Sequence, residues 1–263
     1  LGAGGFGITY NALSISDGRH IAIKEFLPVD AAVRAEGGTY VQSISRDSHV
    51  FTIAREQFLK EAQTIYRLRG YPGIVNVEKL FEENNTAYFC MEFLDGLDLR
   101  KHVISSGGRL GVEETLQTMS VVLDALNYIH TRGIIHRDIS PDNIYLCKNG
   151  AIKLIDFGAA YAQSRDDLRK LQRVVKQGYA PLEQYLVGGN VGPWSDLYAC
   201  ASTIYYCLTG VIPPDAKQRA EMDTLIPPSQ LKVALPPDVE AALLRALQVD
   251  IPQRFSNAQE MKA

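Results

Sequence analysis

The sequence shows no excess of charge of either sign and no metal-ligand spacing among its cysteines. Its 27 lysines and arginines stand against 30 aspartates and glutamates, a formal net charge of -3 over 263 residues. Without a basic excess there is no electrostatic footprint for nucleic acid, and without an acidic block there is no solvating tail. Cys90, Cys147, Cys200 and Cys207 form no C-x-x-C pair and join no His/Cys cluster. That argues against a structural zinc site or a disulfide framework and suits reduced thiols in the cytoplasm. A long apolar run is also missing. The longest uncharged stretch, Leu197 to Pro214, contains Ser202, Thr203, Thr209 and Gly210 and ends in Pro213-Pro214. A buried core helix is expected there in place of a membrane span. No signal peptide is visible, and the chain opens on a glycine-rich loop with no strand before it. This reads as a domain excised from a longer protein, whose other parts are free to include a membrane anchor.

What is present is a β-rich first part and a helical second part, in one large domain or a tightly coupled pair of lobes. Ile8 to Ile15 and His20 to Phe26 read as a hairpin around "SDG". Gly2, Gly4 and Gly7 fit G-x-G-x-x-G, but a second strand follows them where a dinucleotide-binding fold needs a helix, so that fold is excluded. Residues 28–50 form a long connector with a Gly-Gly turn, either a small inserted hairpin or a mobile loop. Phe51 to Arg69 has Phe58, Ala62, Ile65 and Leu68 on one helical face, with Gly70 beyond its end. Two more strands surround Asn84-Asn85. A boundary near Asp95-Gly96 precedes helical spacing of Leu116, Met119, Leu123, Leu126 and Ile129. "IYLCKNGAIKLIDF" is a hairpin on Asn149-Gly150. A core helix over Ser195 to Thr209 and an amphipathic helix over Val239 to Leu247 complete the pattern.

The ordered series of the glycine loop, "IAIK", a helix glutamate, "MEF", "HRD" through Asn143, "DFG", "PLE", "SDLYACA" and "DIPQR" resembles a eukaryotic-type protein kinase catalytic domain of the kind found in bacteria. The resemblance covers nearly the whole chain. It implies an α+β, bilobal fold with a β-rich small lobe over residues 1–95, a mainly helical large lobe over 96–263, and ATP with Mg2+ between them.

For phosphoryl transfer the resemblance implies the following roles. The backbone at Gly2, Gly4 and Gly7 would approach the phosphates. Lys24 would hold the α- and β-phosphates and pair with Glu61, which fits the apolar face of its helix better than Glu56 does. Asp138 would be the base that accepts or orients the substrate hydroxyl, and Asn143 and Asp156 would hold magnesium. Thr9, Ala22, the gatekeeper Met91 and the hinge from Glu92 to Leu94 would surround the adenine, with Asp98 at a ribose position. His136 reads as a packed structural residue, Arg137 as a partner for a loop phosphate, and Glu183 with Arg254 as a buried brace.

Two positions depart from the family pattern. The lysine usually found two residues past the catalytic aspartate is Ser140 here, and the threonine usually found seven residues before the "APE" glutamate is Lys176. The expected reading is an exchange: Lys176 reaches back toward Asp138 and the γ-phosphate with the Ser140 hydroxyl beside it, so the positive charge is relocated. The alternative leaves Lys176 solvated and the chain a slower enzyme or an ATP-binding pseudokinase scaffold. The proline of "APE" and of "DIPQR" is shifted by one residue, which predicts altered local backbone paths. Between Gly158 and Gly178 the only hydroxyl residues are Tyr161 and Ser164, so Arg137 is expected to meet Asp166 or Asp167, or the loop to order without phosphate.

The expected activity is a protein serine/threonine kinase. "ISPDN" keeps Pro141 and lacks the alanine- and arginine-containing loop of tyrosine kinases, and small-molecule kinases usually lack the full motif set. The expected partners are ATP and a protein substrate, with no nucleic acid and no membrane contact by this domain. The sequence assigns no oligomeric state.

Overall fold

Two hydrophobic periodicities organise the chain, close to two residues in its first part and 3.6 in its second. The computed structural model describes residues 1–4, 7–29, 31–44, 48–157 and 175–263. The chain divides into Leu1–Asp95 and Gly96–Ala263, each with its own core.

In the first unit, strands β1 (Gly2–Gly4), β2 (Gly7–Leu13), β3 (His20–Phe26), β6 (Val77–Glu83) and β7 (Thr86–Glu92) form an antiparallel sheet in the order β1-β2-β3-β7-β6. The β6–β7 turn places Asn84 and Asn85 at φ 53° and 58°, the left-handed pair that a two-residue hairpin turn needs and asparagine tolerates. Helix α1 (Ser48–Arg67) turns Phe58, Ala62 and Ile65 inward, and Leu68 just past its end is buried with them. Its Phe58 ring lies 5.5 Å from that of Phe26 and 5.1 Å from that of Phe89. The apolar stripe read from the sequence is therefore the face that packs on the sheet.

The connector at 28–50 contains a hairpin, β4 (Ala32–Arg34) paired with β5 (Val41–Ser43). Arg34 from β4 pairs with Glu25, a fully buried carboxylate that also accepts the hydroxyls of Tyr10 at 2.7 Å and Tyr88 at 2.8 Å. On the other strand, the Val41 amide donates to the Asn84 carbonyl at 2.9 Å, and the Asn85 side chain donates to the Val41 carbonyl at 2.9 Å. A buried carboxylate is costly without partners, so these contacts select the hairpin over a loose loop.

In the second unit, β8 (Gly96–Asp98), β9 (Ile144–Cys147) and β10 (Ile152–Leu154) form a small sheet in the order β10-β9-β8. Gly150, at φ 84°, closes the β9–β10 turn. The helices among the described residues are α2 (Leu99–Ser105), α3 (Val112–His130), α4 (Leu182–Tyr185), α5 (Pro193–Thr209), α6 (Ala216–Glu221), α7 (Pro237–Ala246) and α8 (Ala258–Lys262). Every residue of α5 from Ser195 to Leu208 is buried. On this helix the Thr203 hydroxyl donates to the Ala199 carbonyl at 3.0 Å. Among the described residues no helix is long and apolar enough to cross a membrane. All four cysteines are free thiols.

Candidate active site

In the first unit, β3 carries Lys24 between Thr9 on β2 and Phe89 on β7. Helix α1 brings Glu61 to it, with Lys24 Nζ 3.7 Å from Glu61 Oε1 and the two side chains 17% and 9% exposed. Ala22 is buried and lies opposite Met91 across β3 and β7. The Glu92 amide donates to the Asn76 carbonyl at 2.9 Å, and the Glu92 carboxylate accepts the Asn76 amide at 2.7 Å. Leu94 follows in non-regular backbone. Gly4 and Gly7 face each other where β1 meets β2. Around Gly2 a Cβ would meet nothing within 4 Å, whereas at Gly7 it would lie 1.9 Å from the Glu25 carbonyl oxygen. Glycine at position 7 is thus required by the β2–β3 approach itself, a reason the motif alone did not disclose.

In the second unit, Asp196 on α5 organises the "HRD" loop. Its carboxylate accepts the backbone amides of His136 at 2.8 Å and Arg137 at 2.7 Å, and it contacts His130 Nε2 at 2.8 Å. These bonds hold Arg137 at φ 66°, a conformation that non-glycine residues rarely adopt. Burial alone would raise the Asp196 pKa, but His130, His136 and the Arg137 amide outweigh it and hold the carboxyl below its ordinary value. The Gln184 side chain on α4 adds a bond to the Arg137 carbonyl at 2.7 Å. His136 is fully buried against Phe157, with ring centroids 4.5 Å apart, and burial pushes its pKa down. It is the packed residue expected.

The resulting loop aims Asp138 at Asn143, whose side-chain amide donates to the Asp138 carbonyl at 2.8 Å and to Oδ2 at 2.7 Å. Burial, countered by Lys176 and reinforced by Asp156, raises the Asp138 pKa to about 6. The Ile155 amide donates to the Asn143 carbonyl at 3.0 Å, tying the residue before Asp156 to the loop. Asp156 sits at φ 61°.

Lys176 Nζ donates to the Ser140 hydroxyl at 2.8 Å. The two departures from the family pattern therefore meet in space, 36 residues apart in sequence. The same ammonium pairs with Asp142, which Arg100 on α2 holds through Nε at 2.6 Å and Nη2 at 3.0 Å. Burial favours protonation of Asp142, but the two cations prevail and its pKa is lowered. Asp98 caps α2, accepting the Lys101 amide at 2.8 Å through one oxygen and pairing with Lys101 Nζ at 2.8 Å through the other. Tyr161, Ser164, Asp166 and Asp167 lie outside the described residues.

The sequence pattern assigns no individual role to Asp142, Arg100, Gln184 or Asp196. Asp196 lies inside the quoted "SDLYACA", so its signal was present. Arg100 had none, because its partner is 42 residues away in sequence.

The protein kinase domain family model matches residues 1–262. A probable serine/threonine-protein kinase of Streptomyces coelicolor is 32% identical, covering 100% of this chain and 38% of that protein. The serine/threonine-protein kinase PknB of Mycolicibacterium smegmatis is 30% identical, covering 100% and 41%. A solved structure described as PpkA-294, apo form, superimposes with a TM-score of 0.88 at 31% identity, covering 99% of this chain and 92% of that one. The chain thus spans about two fifths of the length of these curated relatives. With its β-rich first unit, its mainly helical second unit and the match over nearly every residue, the chain belongs to the protein kinase domain family.

Proposed function

We propose that this domain transfers the γ-phosphate of ATP to serine and threonine hydroxyls of protein substrates. The observation that carries this reading is the Lys176–Ser140 contact in the same loop as Asp138. It supplies a cation where the usual lysine is replaced. Lys24, braced by Glu61, would bind the α- and β-phosphates. The glycine loop would offer backbone amides, and Thr9, Ala22, Met91, the Glu92–Leu94 segment and Asp98 would line the nucleoside. Asp138 would accept the proton of the substrate hydroxyl as its oxygen bonds to the γ-phosphorus. The bond from that phosphorus to the β,γ-bridging oxygen breaks and ADP leaves. Lys176 would offset charge on the transferring phosphoryl group.

Asn143 and Asp156 supply hard oxygen donors. Among the described residues no group of three or more His, Cys, Asp or Glu is placed to hold a metal ion. Two protein oxygens suit magnesium, which keeps waters and phosphates as its remaining ligands. When bound, it would neutralise phosphate charge. The free thiols fit a reducing cytoplasm as the site of action.

The test is transfer from labelled ATP with magnesium to a generic protein acceptor and to the domain itself. The wild type should label serine and threonine, Asp138→Asn should abolish labelling, and Lys176→Ala should reduce it far more than Ser140→Ala. ATP binding without any transfer would overturn the reading in favour of a nucleotide-binding scaffold.

A further inference from the structure

Lys176 is held at both ends. Its carbonyl accepts the amides of Tyr179 at 3.1 Å and Ala180 at 3.0 Å, which fixes the backbone. Its ammonium meets the Ser140 hydroxyl and the Asp142 carboxylate. Asp142 lies in a one-turn 3-10 helix, Pro141–Asn143, immediately between Pro141 and Asn143. Arg100 holds that carboxylate with two parallel bonds, a geometry that fixes orientation as well as distance. Arg100 is itself fixed from the other side: it donates to the Tyr179 hydroxyl at 3.4 Å, and its guanidinium carbon lies 5.2 Å from the Tyr206 ring centroid and 5.7 Å from that of Tyr179. The contacts close a ring, from the Lys176 backbone through Tyr179, Arg100 and Asp142 to the Lys176 ammonium.

We propose that Asp142, clamped by Arg100, is a positioning residue for Lys176, holding its ammonium at Ser140 beside the catalytic loop. This rests on the kinase reading above for its consequence, but not for its geometry. A lysine at position 176 reaches the catalytic loop from a separate backbone segment through a flexible four-carbon stem, and loses rotamer freedom when ordered. A counter-ion fixed by a second cation offsets that cost. The arrangement engages both Asp142 oxygens within the domain.

Two measurements on the intact domain test this. The first is acetylation of Lys176 by acetic anhydride, quantified by mass spectrometry, which reads the ring without requiring turnover. Asp142→Ala and Arg100→Met should each raise the Lys176 labelling rate several-fold, ~3-fold or more, while Arg100→Lys, which keeps one charged donor, gives a smaller rise. Unchanged labelling in both Asp142→Ala and Arg100→Met, with melting temperatures near wild type, would overturn the ring. The second is a double-mutant cycle in steady-state transfer. Asp142→Ala should lower kcat roughly tenfold with KM for ATP within about twofold, and should add almost nothing to Lys176→Ala. Additive losses would show that Asp142 acts apart from Lys176 and would sink the proposal. If the wild type transfers no phosphate, the kinase reading fails, and the labelling experiment still decides whether Asp142 positions Lys176.

Discussion

Glu183 and Arg254, 71 residues apart in sequence, meet through two hydrogen bonds of 2.8 and 3.2 Å, with side chains only 4% and 0% exposed. Neither charge is left half-paired. Glu183 also accepts the Ser195 hydroxyl at 2.7 Å, and Arg254 donates to the carbonyls of Gln248 and Val249, both at 2.6 Å.

Removing one partner leaves the other buried without compensation. Arg254→Ala should therefore destabilise the second unit by about 3–5 kcal/mol, as should Glu183→Ala. Chemical denaturation of each single variant and of the pair checks this. The double variant should be less destabilised than the sum of the singles.

Lys24 and Glu61 make a different pair, 3.7 Å apart and mostly shielded from solvent, placed on a strand and a helix that are well packed without it. Lys24→Met should lower kcat/KM for ATP on the order of 100-fold, and Glu61→Gln by roughly tenfold, with little change in melting temperature. Initial-rate kinetics alongside thermal melts separate a lost phosphate contact from a lost fold.

Asp196 links stability to pH. Its folded carboxyl titrates below the ordinary value of 3.8, so the folded state binds fewer protons than the unfolded one as pH falls through that range. Its contribution is fully present above the ordinary value and is lost as pH drops below it toward the folded pKa. Asp196→Asn should cost about 2–4 kcal/mol near neutral pH. The gap between wild type and variant should narrow in acid, and urea denaturation across a pH series reads it directly.

The β4–β5 hairpin should depend on Glu25. Among the described residues, Arg34→Ala leaves a buried carboxylate with the Tyr10 and Tyr88 hydroxyls, and should cost about 2 kcal/mol and speed hydrogen exchange at the Val41 amide. An unchanged exchange rate there would show that Asn84 and Asn85 hold the hairpin unaided.

Features that rest on short-range pattern are written in the order of the amino acids. The apolar stripe of α1, the Asn84-Asn85 and Asn149-Gly150 turns, the buried α5 in place of a membrane span, and the order of the "HRD" and "DFG" segments were legible. Periodicity and turn chemistry are properties of a few neighbouring residues. The Lys176–Ser140 meeting was anticipated only by counting positions within a family pattern.

Long-range polar pairing emerges from packing alone. A hairpin and a loop at 28–50 read alike in sequence, because the difference lies in Arg34 reaching a buried Glu25. Asp142 looks like one more turn residue until Arg100 and Lys176 converge on it, one from before it in sequence and one from after. Gly7 read as a phosphate-loop glycine, yet the Glu25 carbonyl leaves no room there for a Cβ. Charged side chains carry no periodicity that names their partners. Burial selects them, and burial exists only once the chain has packed.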